Sequence, residues 1–478
     1  MTNKQFTMQF HTGNPLAERL RAAQFTCLVE IDTPRADQPF ESAVGIANNL
    51  ARCAHNHEMV QAIAVTDRLR SENTHDPVQV AQSLQNTTPK PLLVHISGKG
   101  SDTHRVRTLL GSAYSSGIRS VLAVTGDRSD LHPGPRNTGG RIPPHPVGYT
   151  DSVATIREAR NIGHPLFIGC GVNPFKYNPS DQYLQYYKLV RKLSIGADFI
   201  MVQAGWDMCK HQEIKWFLQM REMEVPIIAR LMLLNREKIA DIHQGLITGA
   251  PVSRSFASQL QRESDISDAQ CLAAQLRRLA LQVAGCRLLG YSGVQIAGID
   301  SEQTLEMVLN AIQTPPDGIT TFADWIEAWN DFHADIVFTP ASTAYYMFNN
   351  LLETEVPAYD PETSQLAEQT FPRSSRFDRL RYHLAQHIKP NGTIASIARH
   401  LHALKNKETN HEQNRNHAFA MHLAPKTCPK RLVYGACGGS EADGLCEFGH
   451  DTCFFHRVLA LANDLNKLNR LEDITPDE

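Results

Sequence analysis

Residues 119–125, RSVLAVT, form a near-continuous apolar run that closes on a polar residue and is followed at once by Gly126 and Asp127. The run is too short for a helix and rich in Val and Thr. It reads as a strand buried on both faces, as strands of a parallel sheet are. Similar runs stand at 26–31 (TCLVEI), 61–66 (QAIAVT), 92–96 (LLVHI), 166–171 (LFIGCG), 197–203 (ADFIMVQ), 226–231 (PIIARL) and 292–298 (SGVQIAG). Amphipathic helix patterns fill the intervals, at 41–54, 102–116, 180–194, 208–222 and 264–288. Eight strand–helix units in about 300 residues match a (β/α)₈ barrel, for which ~250 residues are typical. The predicted fold class is therefore α/β, a TIM barrel over 1–313.

Barrels of this kind carry their chemistry at the C-terminal ends of the strands. Those ends hold Glu30, Thr66 with Asp67, His95, Asp127 and Gln203. A carboxyl at Glu30, walled by apolar neighbours, would have its neutral form favoured by desolvation, as a general acid near neutral pH requires. It could equally cap a loop or pair with Arg35. Asp127 follows a glycine that permits a sharp turn, and can accept hydrogen bonds from a heterocyclic edge or act as a turn residue. His95 reads first as a packed core residue, and Gln203 as a buried amide that a ligand could satisfy.

The chain has 478 residues, a net charge of −3 and 42% apolar residues. The charge gives no bulk case for nucleic-acid or membrane-surface binding. The N-terminal segment lacks the apolar core of a secretory signal, and no run reaches the ~18 apolar residues of a membrane span. A cytoplasmic protein with reduced thiols is expected. The loop after the fourth strand, 127–150, is rich in Pro, Gly and Arg, a composition that forms no regular element. It is either a functional lid or a surface insertion. TPPDGIT at 314–320 reads as a domain boundary, 314–404 as a helical connecting region with a helix at 375–388, 405–427 as a linker, and 428–478 as a cysteine-rich segment with a closing helix.

Six of the ten cysteines are scattered, but Cys428, Cys437, Cys446 and Cys453 fall in one glycine-rich stretch. Four cysteines in a reduced compartment read as metal ligands before disulfides. Their spacing is neither that of a zinc ribbon nor the usual ferredoxin run.

The barrel motifs resemble the methylenetetrahydrofolate reductase family over about 14–313. EIDTP at 30–34, AVT at 64–66, LVH at 93–95, IRSVLAVTGD at 118–127 and RKLSIGADFIMVQ at 191–203 are similar to family motifs in the same order. The resemblance implies FAD-dependent interconversion of 5,10-methylene- and 5-methyl-tetrahydrofolate in one-carbon metabolism. It implies Glu30 as general acid, Asp127 as a pterin-binding and flavin-tuning carboxylate, Thr66, His95 and Lys192 as FAD contacts, and Gln203 as a folate contact. Implied partners are tetrahydrofolate derivatives and an electron donor, NAD(P)H or an electron-transfer protein; a homo-oligomer is left open. The stretch 428–453 resembles the C-terminal domain of a reductase partner protein, which implies an iron–sulfur cluster or zinc on the four cysteines. The chain departs from the family at Thr125, at Asp67-Arg68, at 173–177 and at 204–207. These departures motivate a second reading, a folate-binding or corrinoid-associated methyl-transfer component without flavin redox chemistry.

Overall fold

A computed structural model of the chain describes residues 13–69, 71–128, 147–243, 252–313, 316, 318–333, 336–338, 358–359, 366–367, 373–387, 417–423, 428–440, 444–449 and 451–475. Most of the loop at 127–150 and of the linker at 405–427 therefore lies outside the described residues.

Eight strands, β1 (Thr26–Ile31), β2 (Val60–Val65), β3 (Leu92–Ser97), β4 (Ser120–Val124), β5 (Phe167–Val172), β6 (Phe199–Val202), β7 (Ile227–Met232) and β8 (Gly293–Ala297), pair in sequence order into a closed barrel. Every pairing is parallel, and β8 returns to β1 with Leu28 opposite Gln295. Closure leaves no free edge among these strands. The predicted (β/α)₈ barrel is the fold of the chain.

Alternation along each strand sends one set of side chains inward. Leu28, Ala62, Ala64, Leu93, Leu122, Phe167, Phe199, Met201 and Ile228 make the barrel's interior core. A helix at Pro15–Arg21 closes its lower end with Leu16, Ala17 and Leu20. Asn14 anchors that helix: its side chain caps Ala17 N and donates to Arg119 O at 3.1 Å and Ser120 Oγ at 3.0 Å, at the start of β4. Each leucine so buried is worth about 1.5–3 kcal/mol. The outward residues of the strands pack against the helical ring in a larger cluster.

The helix at Pro179–Ser194 is buried on both faces, from Pro179 to Leu193. One face lies on the barrel. Tyr183, Leu184 and Tyr187 on the other join Phe454, Phe455, Val458 and Leu459 of the closing helix, Phe454–Asp464. Polar anchors fix the dock. Arg191, fully buried, donates to the carbonyls of Tyr434 at 2.6 Å, Asp473 at 2.8 Å and Arg470 at 3.0 Å. Lys188 pairs with Asp151 at 2.8 Å and donates to Gly435 O at 3.1 Å.

In the connecting region the described residues form a helix at Phe322–Phe332, a helix at Arg376–His387 and one antiparallel pair of two-residue strands, Ala358–Tyr359 with Leu366–Ala367. The strand pair stands beside a region expected to be mainly helical; two-residue pairings are too short to show a periodicity. No helix among the described residues is long and apolar enough to cross a membrane.

Candidate active site

Inward alternation places four polar side chains one layer above the apolar interior: Glu30 on β1, His95 on β3, Arg230 on β7 and Gln295 on β8. Arg230 grips Glu30 through Nε at 2.7 Å and Nη2 at 2.6 Å, and Gln295 Nε2 donates to the same carboxylate at 2.5 Å. The Glu30 side chain is 1% exposed. Burial alone would raise its pKa and favour the neutral acid. The charge and two-pronged hydrogen bonding of Arg230, with lesser help from His95 and Gln295, outweigh it and hold the carboxyl below the ordinary carboxylate range. The sequence left Glu30 open between a desolvated neutral acid and a paired carboxylate; the ion pair favours the carboxylate, with Arg230 rather than Arg35 as the partner. His95 is also shifted down, which in its case favours the uncharged form. Burial pushes its imidazole down to about 4, against the opposing pull of Glu30, so the ring is neutral at pH 7.

Among the described residues His95 Nε2 and Gln295 Oε1 are buried and make no hydrogen bond of ordinary geometry, although the Gln295 side chain is near enough to the His95 ring to act on it. Above this floor β5 contributes glycines. A Cβ at Gly169 would enter the Phe199 ring, and one at Gly171 would meet only Val124, at 3.8 Å. The β5 side is therefore filled by Phe199 at Gly169 and has room at Gly171, over a floor that carries one ring nitrogen and one amide oxygen. A flat heterocycle with hydrogen-bonding edges, such as a flavin ring, fits that donor and acceptor set.

At the rim, Asp127 pairs with Lys99 at 2.5 Å. The Lys99 side chain is fully buried, whereas Asp127 is 36% exposed and faces the mouth's solvent side. Gly126 between them has φ +90°, and a Cβ there would lie 2.6 Å from the Lys99 Cβ, so only glycine fits. Thr66 ties two loops together: its Oγ1 accepts from Thr33 N at 3.0 Å, and the Thr33 hydroxyl donates to the Thr66 carbonyl. Asp67, fully buried, accepts from Ser97 N at 2.8 Å and pairs with Arg105 at 3.2 Å. Gln203 is half-buried past the end of β6 and follows the Val172 carbonyl, which accepts its N–H at 2.8 Å. Lys192 stands apart from the Glu30 group. Its ammonium donates to Gly171 O at 2.6 Å, between β5 and the helix behind it, and burial with the nearby Lys188 lowers it to about 8.

Sequence reasoning overlooked Arg230, Gln295 and Lys99. The first two carried a signal: each is a lone polar residue at an inward position of an otherwise apolar strand, two residues after Ile228 and Gly293 respectively. Lys99 carried none, since its meeting with Asp127 is a tertiary contact.

The cysteine segment lies against the same rim. Lys430 donates to Gly126 O at 2.7 Å and pairs with Glu447 at 2.5 Å. Asn173 donates to Gly438 O at 2.9 Å and Lys176 to Ser440 O. Two of the residues that depart from the family pattern at 173–177 thus hold the C-terminal segment in place. Each of the four sulfurs faces the backbone N–H two residues on: Cys428 that of Lys430, Cys437 that of Gly439, Cys446 that of Phe448 and Cys453 that of Phe455. Cys437 lies near enough to Cys428, Cys446 and Cys453 for its charge to act on each of them. Among the described residues no three of them lie within 4.8 Å of one another. Sulfurs about a single zinc at ~2.3 Å would be closer together than that. Burial raises the thiols, Cys428 to about 11 and Cys446 to about 12, so a cation must replace the protons before the group can act as four thiolates.

Comparison with known proteins follows this division. Residues 16–311, well over half of the chain, match the family model described as methylenetetrahydrofolate reductase. Residues 405–478 match the model described as methylene-tetrahydrofolate reductase C terminal. No curated protein matches the sequence. Among solved structures, an uncharacterized protein from Clostridium thermocellum that binds two copies of 5-methyl-5,6,7,8-tetrahydrofolic acid aligns at 11% identity with a TM-score of 0.46, over 62% of this chain and 97% of its own. An oxaloacetate acetylhydrolase bound to 3,3-difluorooxalacetate aligns at 12% identity with a TM-score of 0.35, over 68% of this chain and 95% of its own. At these scores neither likeness adds to the family match. A closed eight-stranded barrel with its polar floor at the strand ends, matched through all eight strands by one family model, makes the chain a member of the methylenetetrahydrofolate reductase family.

Proposed function

We propose that the chain interconverts 5,10-methylene- and 5-methyl-tetrahydrofolate at the barrel mouth, with FAD as its redox cofactor. The observation that carries this reading is the buried Glu30 carboxylate, held by Arg230 and Gln295 beside the neutral His95 ring, at the mouth of a barrel of this family. Bound FAD would supply hydride transfer; the protein supplies orientation and electrostatics. His95, Gln295 and Thr66 would border its ring, and Asp127 and Gln203 the pterin. Interconversion also moves one proton at the ring nitrogen that closes or opens the five-membered ring. Glu30 is the group for it. As a carboxylate it takes that proton when the ring closes, and returns it when the ring opens. Arg230 stabilises the ionised state and so sets the strength of this acid.

The four cysteines, in this reading, hold one metal centre, an iron–sulfur cluster or zinc. Placed against the Asp127 rim through Lys430, such a centre gives a route for electrons into the mouth.

One observation favours the second reading, a folate-binding methyl-transfer component without flavin. Three described cations of the rim near Asp127 are paired: Lys99 with Asp127, Arg105 with Asp67, and Arg68 with Glu72 and with the carbonyls of Lys99 and Gly100. None of these three is left over for a dinucleotide's pyrophosphate. A visible spectrum of protein purified without oxygen separates the two. Flavin bands that bleach with methyltetrahydrofolate support the reductase; a flavin-free protein that still binds folate supports the alternative.

A further inference from the structure

A second ligand-like cluster lies outside the barrel mouth, where the barrel closes on itself. The helix Gly45–His55 follows β1 and the helix Glu302–Gln313 follows β8, and the two pack side by side over the β1–β8 seam. Between them Cys53, His57 and Glu306 converge, with one ligating atom of each within 4.8 Å of the others. His57 Nε2 lies 3.0 Å from one Glu306 oxygen, and the Cys53 thiol 3.4 Å from the other. The convergence is built in. Past the helix end, Asn56 N and His57 N bond back to Cys53 O and Ala54 O, which turns His57 over the last helical turn. Lys90 donates to the His57 carbonyl at 2.8 Å and holds that turn in place.

We infer that Cys53, His57 and Glu306 form a zinc site that clasps the first and last helices of the barrel. The donor chemistry selects the ion. One thiolate, one imidazole and one carboxylate suit zinc, whereas calcium and magnesium take oxygen ligands alone. Three protein ligands leave a fourth tetrahedral position. The Glu306 side chain is 50% exposed, so water can fill it and the ion can enter. Glu302 stands one helical turn before Glu306, near enough for its charge to act on Cys53, and adds to the negative field at the site. Binding replaces the thiol proton of Cys53 and the hydrogen bond between His57 and Glu306, with release of the proton to solvent. This clasp is independent of the four C-terminal cysteines and of the mouth chemistry.

The full-length protein, its cysteine segment intact, is dialysed to equilibrium against buffered Zn²⁺, and zinc per chain is measured beside Cys53→Ala and Glu306→Gln. The wild type should hold one equivalent more than either variant, because loss of a direct ligand weakens binding by at least the about 10–100-fold known for outer partners. Zinc should also raise the melting temperature of the wild type more than that of Glu306→Gln. Should Cys53→Ala not fold, Glu306→Gln, changed at a half-exposed side chain, carries the comparison. Equal zinc content in wild type and Glu306→Gln, or an equal thermal response, overturns the site and leaves a hydrogen-bonded clasp without metal.

Discussion

Arg230 and Glu30, 200 positions apart, meet inside the barrel as a two-pronged ion pair with contacts of 2.6 and 2.7 Å. The pair joins β7 to β1 across β8, and Gln295 of β8 completes it from between. It biases the Glu30 carboxyl at the floor of the mouth toward its ionised form. Four expectations depend on this arrangement and on its neighbours.

Arg230→Met leaves the Glu30 carboxylate buried and uncompensated. Removing one partner of a buried pair costs about 3–5 kcal/mol. Urea unfolding at pH 7 should show that loss, and adding Glu30→Gln should restore much of it. The pH dependence has a definite sign. The pair holds the Glu30 carboxyl below its unfolded value of roughly 4.3, so its stabilisation is present above that value and fades as pH falls through the folded one. Wild type and Glu30→Gln should therefore converge in stability toward acid. Curves that stay parallel would show the pair to be energetically silent.

Glu30→Gln should retain the barrel, judged by circular dichroism, and lose the folate interconversion by about 10²–10⁴ in rate, the usual share of a positioned acid–base group. Folate binding, measured separately by calorimetry, should persist. Normal turnover in this variant would remove Glu30 from the chemistry.

Asp127→Asn keeps the shape at the rim but strips the charge that balances Lys99. Folate affinity should fall by about 1.5–3 kcal/mol, the worth of a hydrogen bond to a charged group. Stability should fall as well, because the Lys99 ammonium remains buried. A drop in stability with unchanged affinity would make Asp127 a partner of Lys99 and nothing more.

Stripping metal from the protein, or substituting Cys437→Ser, should loosen 428–453 while the barrel keeps its fold, since this segment has a small core of its own and metal binding would supply part of its folding free energy. Hydrogen exchange should rise at Gly438, Gly439 and Phe448. It should also rise at Gly126, whose carbonyl Lys430 holds. Protection that is unchanged with and without metal would indicate a segment held by the helix at Pro179–Ser194 alone.

The barrel was legible in the sequence because each parallel strand is buried on both faces and so writes itself as a short apolar run between helical stretches. TCLVEI at 26–31 and PIIARL at 226–231 carry that signal locally, as do the polar residues at the strand ends. Local pattern also located the four-cysteine stretch. It could not give the protonation state of Glu30. The strand-end position allowed a desolvated neutral acid or a paired carboxylate, and burial pushes toward the first. Only closure of the barrel brings Arg230 and Gln295 onto the carboxylate and reverses the balance. Pro179–Ser194 likewise reads as an ordinary outer helix. Tertiary structure alone reveals the C-terminal segment packed on its outer face, with Arg191 spanning to three carbonyls of that segment. The reason is one of range. Strand and helix periods are set by neighbours a few residues away, whereas the charge of a buried group is set by whichever distant side chain the fold places within hydrogen-bond reach.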